Sequence, residues 1–429
     1  MFCNQCEQTV GGTGCSTAGA CGKNEDISSL QDTLVYGIKG VAAYDYHARR
    51  LGYADPEVAE FYSRALFSTL TNVNFDLNSL VNLVLECGKV NLKAMEVLDK
   101  AHVDRFGTPG PVTVSTGTQS GHGILVTGHD LLDLHHLLRQ TEGSGVKVYT
   151  HGEMLPAHAY PELRKFKHLA GNFGGAWQDQ KREFADFPGP ILATTNCVLI
   201  PKKGSYEDRL FTTGVVAVPD ATYVADGDFG PVVRKALSLP ELRHREGKTL
   251  TTGFHHTAIL SLADKVVGAV KAGKIRHFFL IGGCDGARSG RNYYTELAEK
   301  VPQDCVILTL ACGKYRFNDL DFGSIDGIPR LIDVGQCNNA YSAVRVAAAL
   351  AEAFNCSINE LPLSIILSWF EQKAVAILLS LLHLGVKGIR IGPTLPAWIT
   401  PNVLKVLQEN FDLKAITTPD EDLKAILGA

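Results

Sequence analysis

The chain has 429 residues, 45% of them hydrophobic and 20% charged, with a net charge of −4. That composition supports a sizeable core and excludes a disordered chain, a collagen-like repeat and a disulfide-stapled miniature fold. With 41 basic residues against 45 acidic ones, no global field draws it to nucleic acid or an anionic membrane.

The chain opens Met1-Phe2-Cys3-Asn4-Gln5-Cys6, without the basic and apolar regions of a secretory leader, so a cytoplasmic location is expected. Its most apolar stretch, 374–384, falls well short of the roughly 20 residues of a membrane span. In the cytoplasm cysteines are reduced, buried or metal-bound rather than paired, and the total here, 11, is odd. Cys3, Cys6, Cys15 and Cys21 fall together with the spacing C-x2-C-x8-C-x5-C. The surrounding glycines let the backbone fold tightly about a bound centre and offer amides to thiolate or sulfide. Four thiolates in so short a segment suit an iron–sulfur cluster or tetrahedral zinc. Zinc ribbons usually present a second close pair, which Cys15 and Cys21 do not form, and this favours iron–sulfur.

Leu30, Leu34, Ile38 and Val41 recur at helical spacing and predict a helix that stops near Gly52. Asp55-Pro56 starts a second helix, a good N-cap followed by proline in the first turn. That segment runs towards Cys87 with an interruption at 72–76, and a third helix fits 92–105. Three helices with short connections predict a bundle. The run 106–111, FGTPGP, and the Ser/Thr/Gly-rich stretch after it mark a domain boundary. Beyond it, short apolar runs alternate with helical segments, the texture of α/β domains with mostly parallel strands. A charged stretch, 241–248, separates two such regions. The expected organisation is multidomain: an iron–sulfur segment and three-helix bundle over 1–107, then Rossmann-like α/β domains over 108–242 and 243–429.

Seven apolar, strand-like runs each stop at or near a metal-ligand side chain. These are 124–126 before His129, 146–150 before Glu153, 191–196 before Cys197, 278–283 before Cys284, 306–311 before Cys312, 331–336 before Cys337 and 365–370 before Glu371. Ligands gather outside the carboxyl ends of strands in open α/β sheets, so the repetition points to one buried multinuclear site at the domain interface. Blander readings exist for each residue. His129 caps a helix starting near Asp130, Glu153 is a loop carboxylate, and Glu371 pairs with Lys373. Cys87, at a helix end, Cys305 and Cys356 read as small buried hydrophobes, and His135, His136, His255 and His256 as ordinary helix or turn residues. His151-Gly152-Glu153 is not an H-E-x-x-H zinc helix, and the glycines around Cys284 match neither dinucleotide nor Walker spacing.

The blocks MFCNQCEQT, GTGC, GACGKN, VTGHDLLDL, YTHGEMLPAHAYPEL, TTNCVLIPK, GGCDGARSGRNYYT, LACGKYRFN, DVGQCNNAYSA, WFEQKAVAILL and GPTLPAWITPNV run in order over nearly the whole chain. Together they resemble the hybrid cluster protein (prismane, hydroxylamine reductase) family. The resemblance implies a 4Fe-4S cluster on Cys3, Cys6, Cys15 and Cys21. It implies a hybrid 4Fe-2O-2S cluster on His129, Glu153, Cys197, Cys284, Cys312, Cys337 and Glu371, with a persulfide-carrying role for Cys284 and Lys373 as the lysine of the EQK motif. Longer members carry two helical bundles before the α/β domains; the single bundle here resembles the short subclass.

By that resemblance the expected reaction is two-electron, two-proton reduction of hydroxylamine to ammonia and water at the hybrid cluster, with nitric oxide as the other expected substrate. Electrons would arrive from a ferredoxin or flavoprotein reductase through the N-terminal cluster. Catalytic roles fall on Cys284, Glu371 and Lys373, the latter two as proton sources whose pKa values burial would move towards neutrality. The partner expectations are these small substrates and the donor, no nucleic acid, no membrane, and a homodimer as an allowed assembly. Three alternatives stay open: a nickel enzyme like carbon monoxide dehydrogenase, a nitric oxide or redox sensor or S-nitrosylating protein, and a zinc-stabilised scaffold.

Overall fold

The computed structural model describes residues 1–225 and 227–428. After a short N-terminal segment, α1 (Glu25–Arg50), α2 (Pro56–Ser68) and α3 (Leu77–Phe106) follow one another. Each starts where a side chain can take an unpaired first-turn amide: Asn24 accepts from Ile27, Asp55 from Glu57 and Asp76 from Ser79. The third helix therefore begins at Leu77 rather than near residue 92, because Asp76 caps it. Cys87 consequently lies in mid-helix, fully buried, not at a helix end.

The three predicted helices are present, but α1 and α3 also enclose a helix from far along the chain, Gln372–His383. Glycines allow the close approach. A Cβ at Gly88 of α3 would stand 2.1 Å from the Leu379 carbonyl oxygen, and one at Gly40 of α1 would stand 2.6 Å from that of Gln372. Gly88→Ala is expected to push α3 off this helix and cost about 2–3 kcal/mol. A lowered thermal midpoint relative to the parent chain checks this, and an unchanged midpoint contradicts it.

The rest of the chain builds two six-stranded parallel sheets. The first has the spatial order Leu169–Asn172, Lys147–His151, Gly123–Thr127, Ile191–Ala193, Leu210–Thr213, Thr222–Val224. The second runs Leu331–Asp333, Cys305–Thr309, His277–Gly283, Leu363–Ser368, Arg390–Gly392, Lys414–Ala415. In chain order both are 3-2-1-4-5-6, the doubly wound arrangement, so each sheet has a crevice where its winding reverses. All seven apolar runs are strands of these sheets. The 241–248 stretch is no free spacer: Leu242 and Arg245 bridge back to Gly121 and Thr118, and Thr249–Thr252 pairs antiparallel with Val112–Ser115. No helix among the described residues is long and apolar enough to cross a membrane.

Candidate metal centres

None of the 11 cysteines is paired in a disulfide. In the N-terminal segment Cys3 and Cys15 lie opposite each other in an antiparallel bridge, with N–H···O distances of 3.0 and 2.8 Å. This folds the loop carrying Cys6 and the turn carrying Cys21 beside them. Amides of Val10 and Ala20 aimed at the Cys15 sulfur hold its pKa below the ordinary thiol value, with Lys23 adding to the effect. Cys3, Cys6 and Cys21 keep partial exposure. A backbone that directs amides at sulfur near a buried lysine is prepared for negative charge on that sulfur.

The second set is assembled from both sheets. His129 and Cys197 follow Gly123–Thr127 and Ile191–Ala193, the strands flanking the first crevice, and Glu153 follows the neighbouring Lys147–His151. Cys284 and Glu371 follow His277–Gly283 and Leu363–Ser368, the strands flanking the second crevice, with Cys312 and Cys337 beyond the next two strands. One ligand atom each from His129, Glu153 and Cys337 lies within 4.8 Å of the others. Cys197 and Cys284 adjoin Glu371 electrostatically, and Cys312 adjoins Glu153, Cys197 and Cys284. The structure thus brings the seven residues into one neighbourhood, while Cys87, Cys305 and Cys356 lie apart from it.

The chain is bent to present these side chains. Cys197 itself has φ 68°, and Ala311, just before Cys312, has φ 63°, a left-handed conformation that costs non-glycine residues roughly 1–3 kcal/mol. Before Cys284 the same need is met by Gly283, at φ 98°, where a Cβ would stand 2.1 Å from the Ser368 carbonyl oxygen. His129 is fixed by Thr195, whose hydroxyl lies 2.7 Å from Nδ1 and 2.8 Å from the backbone nitrogen. Glu153 accepts from the Cys337 amide at 2.7 Å, and its carbonyl accepts from Gln336 at 2.6 Å. The buried Lys314–Asp333 pair, at 2.7 Å, braces the loop before Cys337, with Lys314 also donating to the Gly335 carbonyl. Sequence reasoning missed Thr195, although its place two residues before Cys197 made it a neighbour. It also missed Tyr44 of α1, which donates to the Cys337 carbonyl at 3.3 Å; within a periodic helix that position carried no signal.

Burial pushes the Cys284 thiol up to about 12, with the Glu371 carboxylate adding to the shift. It also pushes Cys312 and Cys337 well above the ordinary value. Burial raises Glu153 and lowers His129 far below its usual range, so the imidazole is neutral. His129 Nε2 and Glu153 Oε1 are buried without any hydrogen-bond partner, and the two side chains are 4.0 Å apart. Orphaned buried polar atoms are costly, and here they face thiols that shed protons when a metal binds. Nitrogen, oxygen and sulfur donors numbering seven exceed the four of a structural zinc site, so the set fits a multinuclear metal centre.

Lys373 corrects one expectation. Burial alone would lower its pKa towards neutrality, but Cys337, Glu371 and Cys197 surround it and hold it above the ordinary lysine value. It is therefore a fixed positive charge, 1% exposed, with Nζ 3.4 Å from Asn338 Oδ1. Glu371 is half-buried and accepts from the Lys373 amide at 3.2 Å. Beside this site a polar cavity of about 550 Å³, lined by Gln178, Asp285, Tyr315 and Arg316 among others, reaches the residue after Cys284.

The model of the Prismane/CO dehydrogenase family matches residues 1–80 and 51–424. A hydroxylamine reductase of Moorella thermoacetica is 69% identical over 428 residues, covering all of both chains. One of Solidesulfovibrio magneticus is 60% identical over 406 residues, covering 94% of this chain and 75% of the relative, so that relative is the longer chain. Among solved structures, carbon monoxide dehydrogenase IV of Carboxydothermus hydrogenoformans superposes with a TM-score of 0.79 at 16% identity, covering all of this chain and 92% of that one. At that identity the likeness establishes the fold alone.

Proposed function

Because the chain belongs to the Prismane/CO dehydrogenase family, we propose that it is a hydroxylamine reductase, an iron–sulfur oxidoreductase that takes NH2OH, two electrons and two protons to ammonia and water. The observation that carries this reading is the buried seven-donor set with its partnerless His129 Nε2 and Glu153 Oε1. Cys3, Cys6, Cys15 and Cys21 would hold a 4Fe-4S cluster. His129, Glu153, Cys197, Cys284, Cys312, Cys337 and Glu371 would hold the hybrid 4Fe-2O-2S cluster. When bound, that centre supplies electrons and Lewis acidity for cleaving the N–O bond.

The remaining work falls to the protein. Thr195 orients the His129 ring, and the Cys337 amide orients the Glu153 carboxylate. Lys373 keeps its ammonium beside the sulfurs, a fixed charge and hydrogen-bond donor for the negative charge that develops on the departing oxygen. The Trp177–Phe370 stack, with ring centroids 4.0 Å apart, holds the strand end that carries Glu371 against the first sheet's domain. The polar cavity next to Cys284 suits the approach of a small polar substrate such as hydroxylamine. Nitric oxide is the second substrate of this reading, a ferredoxin or flavoprotein reductase its donor, the cytoplasm its compartment and a homodimer its assembly.

The fold likeness to carbon monoxide dehydrogenase keeps a nickel enzyme as the second reading. Iron, nickel, zinc and acid-labile sulfide per chain of anaerobically purified protein separate the two. About eight irons, fewer sulfides than two cubanes need and no nickel are expected. Stoichiometric nickel supports the second reading, and zinc alone overturns both.

A further inference from the structure

Outside the thiol site, α3 and the start of the second α/β domain bring another set of ligand side chains together. Asp99 lies on α3, and His255 and His256 stand at the start of the short helix His256–Leu260. Read from the sequence as ordinary turn residues, the two histidines stack with ring centroids 3.8 Å apart. One imidazole nitrogen from each and a carboxylate oxygen of Asp99 lie within 4.8 Å of one another. His255 Nε2 stands 3.2 Å from Asp99 Oδ1, close to the edge of a ligand tetrahedron built on metal bonds of about 2.1 Å.

We propose that Asp99, His255 and His256 bind a divalent first-row transition ion of the zinc type, with solvent completing the coordination. Two imidazoles and one carboxylate are borderline donors that suit such an ion better than calcium or magnesium. The surroundings carry the partners that ligating histidines need, since a metal-bound imidazole hands its other N–H to an acceptor. The Thr257 hydroxyl lies 2.9 Å from His255 Nδ1, and the Ser342 hydroxyl 3.1 Å from His256 Nδ1. Without metal, His255 Nδ1 accepts from the Thr257 amide at 3.3 Å, and Nε2–H donates to Asp99. When the ion takes Nε2, the neutral ring carries its proton on Nδ1, which gives up the Thr257 amide and donates to the Thr257 hydroxyl instead. His255 is buried whereas His256 keeps partial exposure, and that open side admits the solvent ligand. Ser342 belongs to the helix Ala340–Phe354, so the ion would fasten α3 to the second α/β domain.

The test uses cluster-loaded protein given one equivalent of zinc and then passed over a weak chelator under anaerobic conditions. About one zinc per chain should be retained, with nitrogen and oxygen neighbours only in its X-ray absorption spectrum. His256→Ala and Asp99→Asn should each lower the retained zinc at least tenfold, with iron and sulfide unchanged. No retention by the parent protein, sulfur neighbours around the zinc, or equal retention by the variants would overturn the proposal. The absorption spectrum of the parent protein decides the matter even where a variant does not fold.

Discussion

Replacing Lys373 with methionine is expected to lower hydroxylamine turnover by about 10²–10³-fold, the usual worth of a fixed donor aimed at developing negative charge. The side chain is fully enclosed, and Cys337, Glu371 and Cys197 keep its ammonium charged. Methionine nearly preserves the volume and removes both the charge and the hydrogen-bond donor. Steady-state rates under saturating reductant, measured with iron per chain, check this and separate slow chemistry from a lost centre. Turnover equal to the parent's at full iron content would show that Lys373 takes no part.

The second large effect is expected at Glu153. Glu153→Ala removes a carboxylate that is 3% exposed, 4.0 Å from His129 and seated on the Cys337 amide. Its partnerless oxygen makes sense as a ligand atom, so the variant should lose about half of the iron, the share of one four-iron centre of two. The N-terminal thiols belong to a separate ligand set, and the spectrum of a cubane held there should persist. Hydroxylamine turnover should disappear with the lost iron. Full iron content with normal turnover would remove Glu153 from the ligand set. The same experiment on Gln336, which donates to the Glu153 carbonyl, should give a milder loss, because that contact only positions the loop.

Much of this architecture was legible because strand-forming apolar runs and ligand side chains alternate along the chain. The seven runs are strands whose carboxyl ends converge, since doubly wound sheets place those ends at one crevice. What the sequence did not disclose depends on contacts distant in the chain. The stretch 374–384 read only as too short for a membrane span, yet the helix Gln372–His383 packs between α1 and α3 because Gly40 and Gly88 admit it. Cys87 was misplaced because the helix start was set by the Asp76 cap rather than by the apolar period. The protonation of Lys373 was misjudged because burial was weighed without the Glu371 carboxylate and the sulfurs of Cys337 and Cys197 beside it, which no local spacing reveals. Tyr44 reaches the Cys337 carbonyl from α1 across 293 positions of sequence, and such a contact exists only once the fold is known. One local signal went unused: glycine directly precedes His129, Glu153 and Cys284, where strand must turn sharply into ligand.

This chain is expected to cleave the N–O bond of hydroxylamine at the site gathered around Cys284 and Glu153. The most direct measurement is anaerobic turnover with a reduced viologen as donor, counting both dye oxidised and ammonia formed, in the parent protein and in Cys284→Ala. The parent should form one ammonia for every two electrons consumed, and the variant should form none above the uncatalysed rate. Undiminished ammonia production by Cys284→Ala protein that has lost the centre's iron would contradict the account.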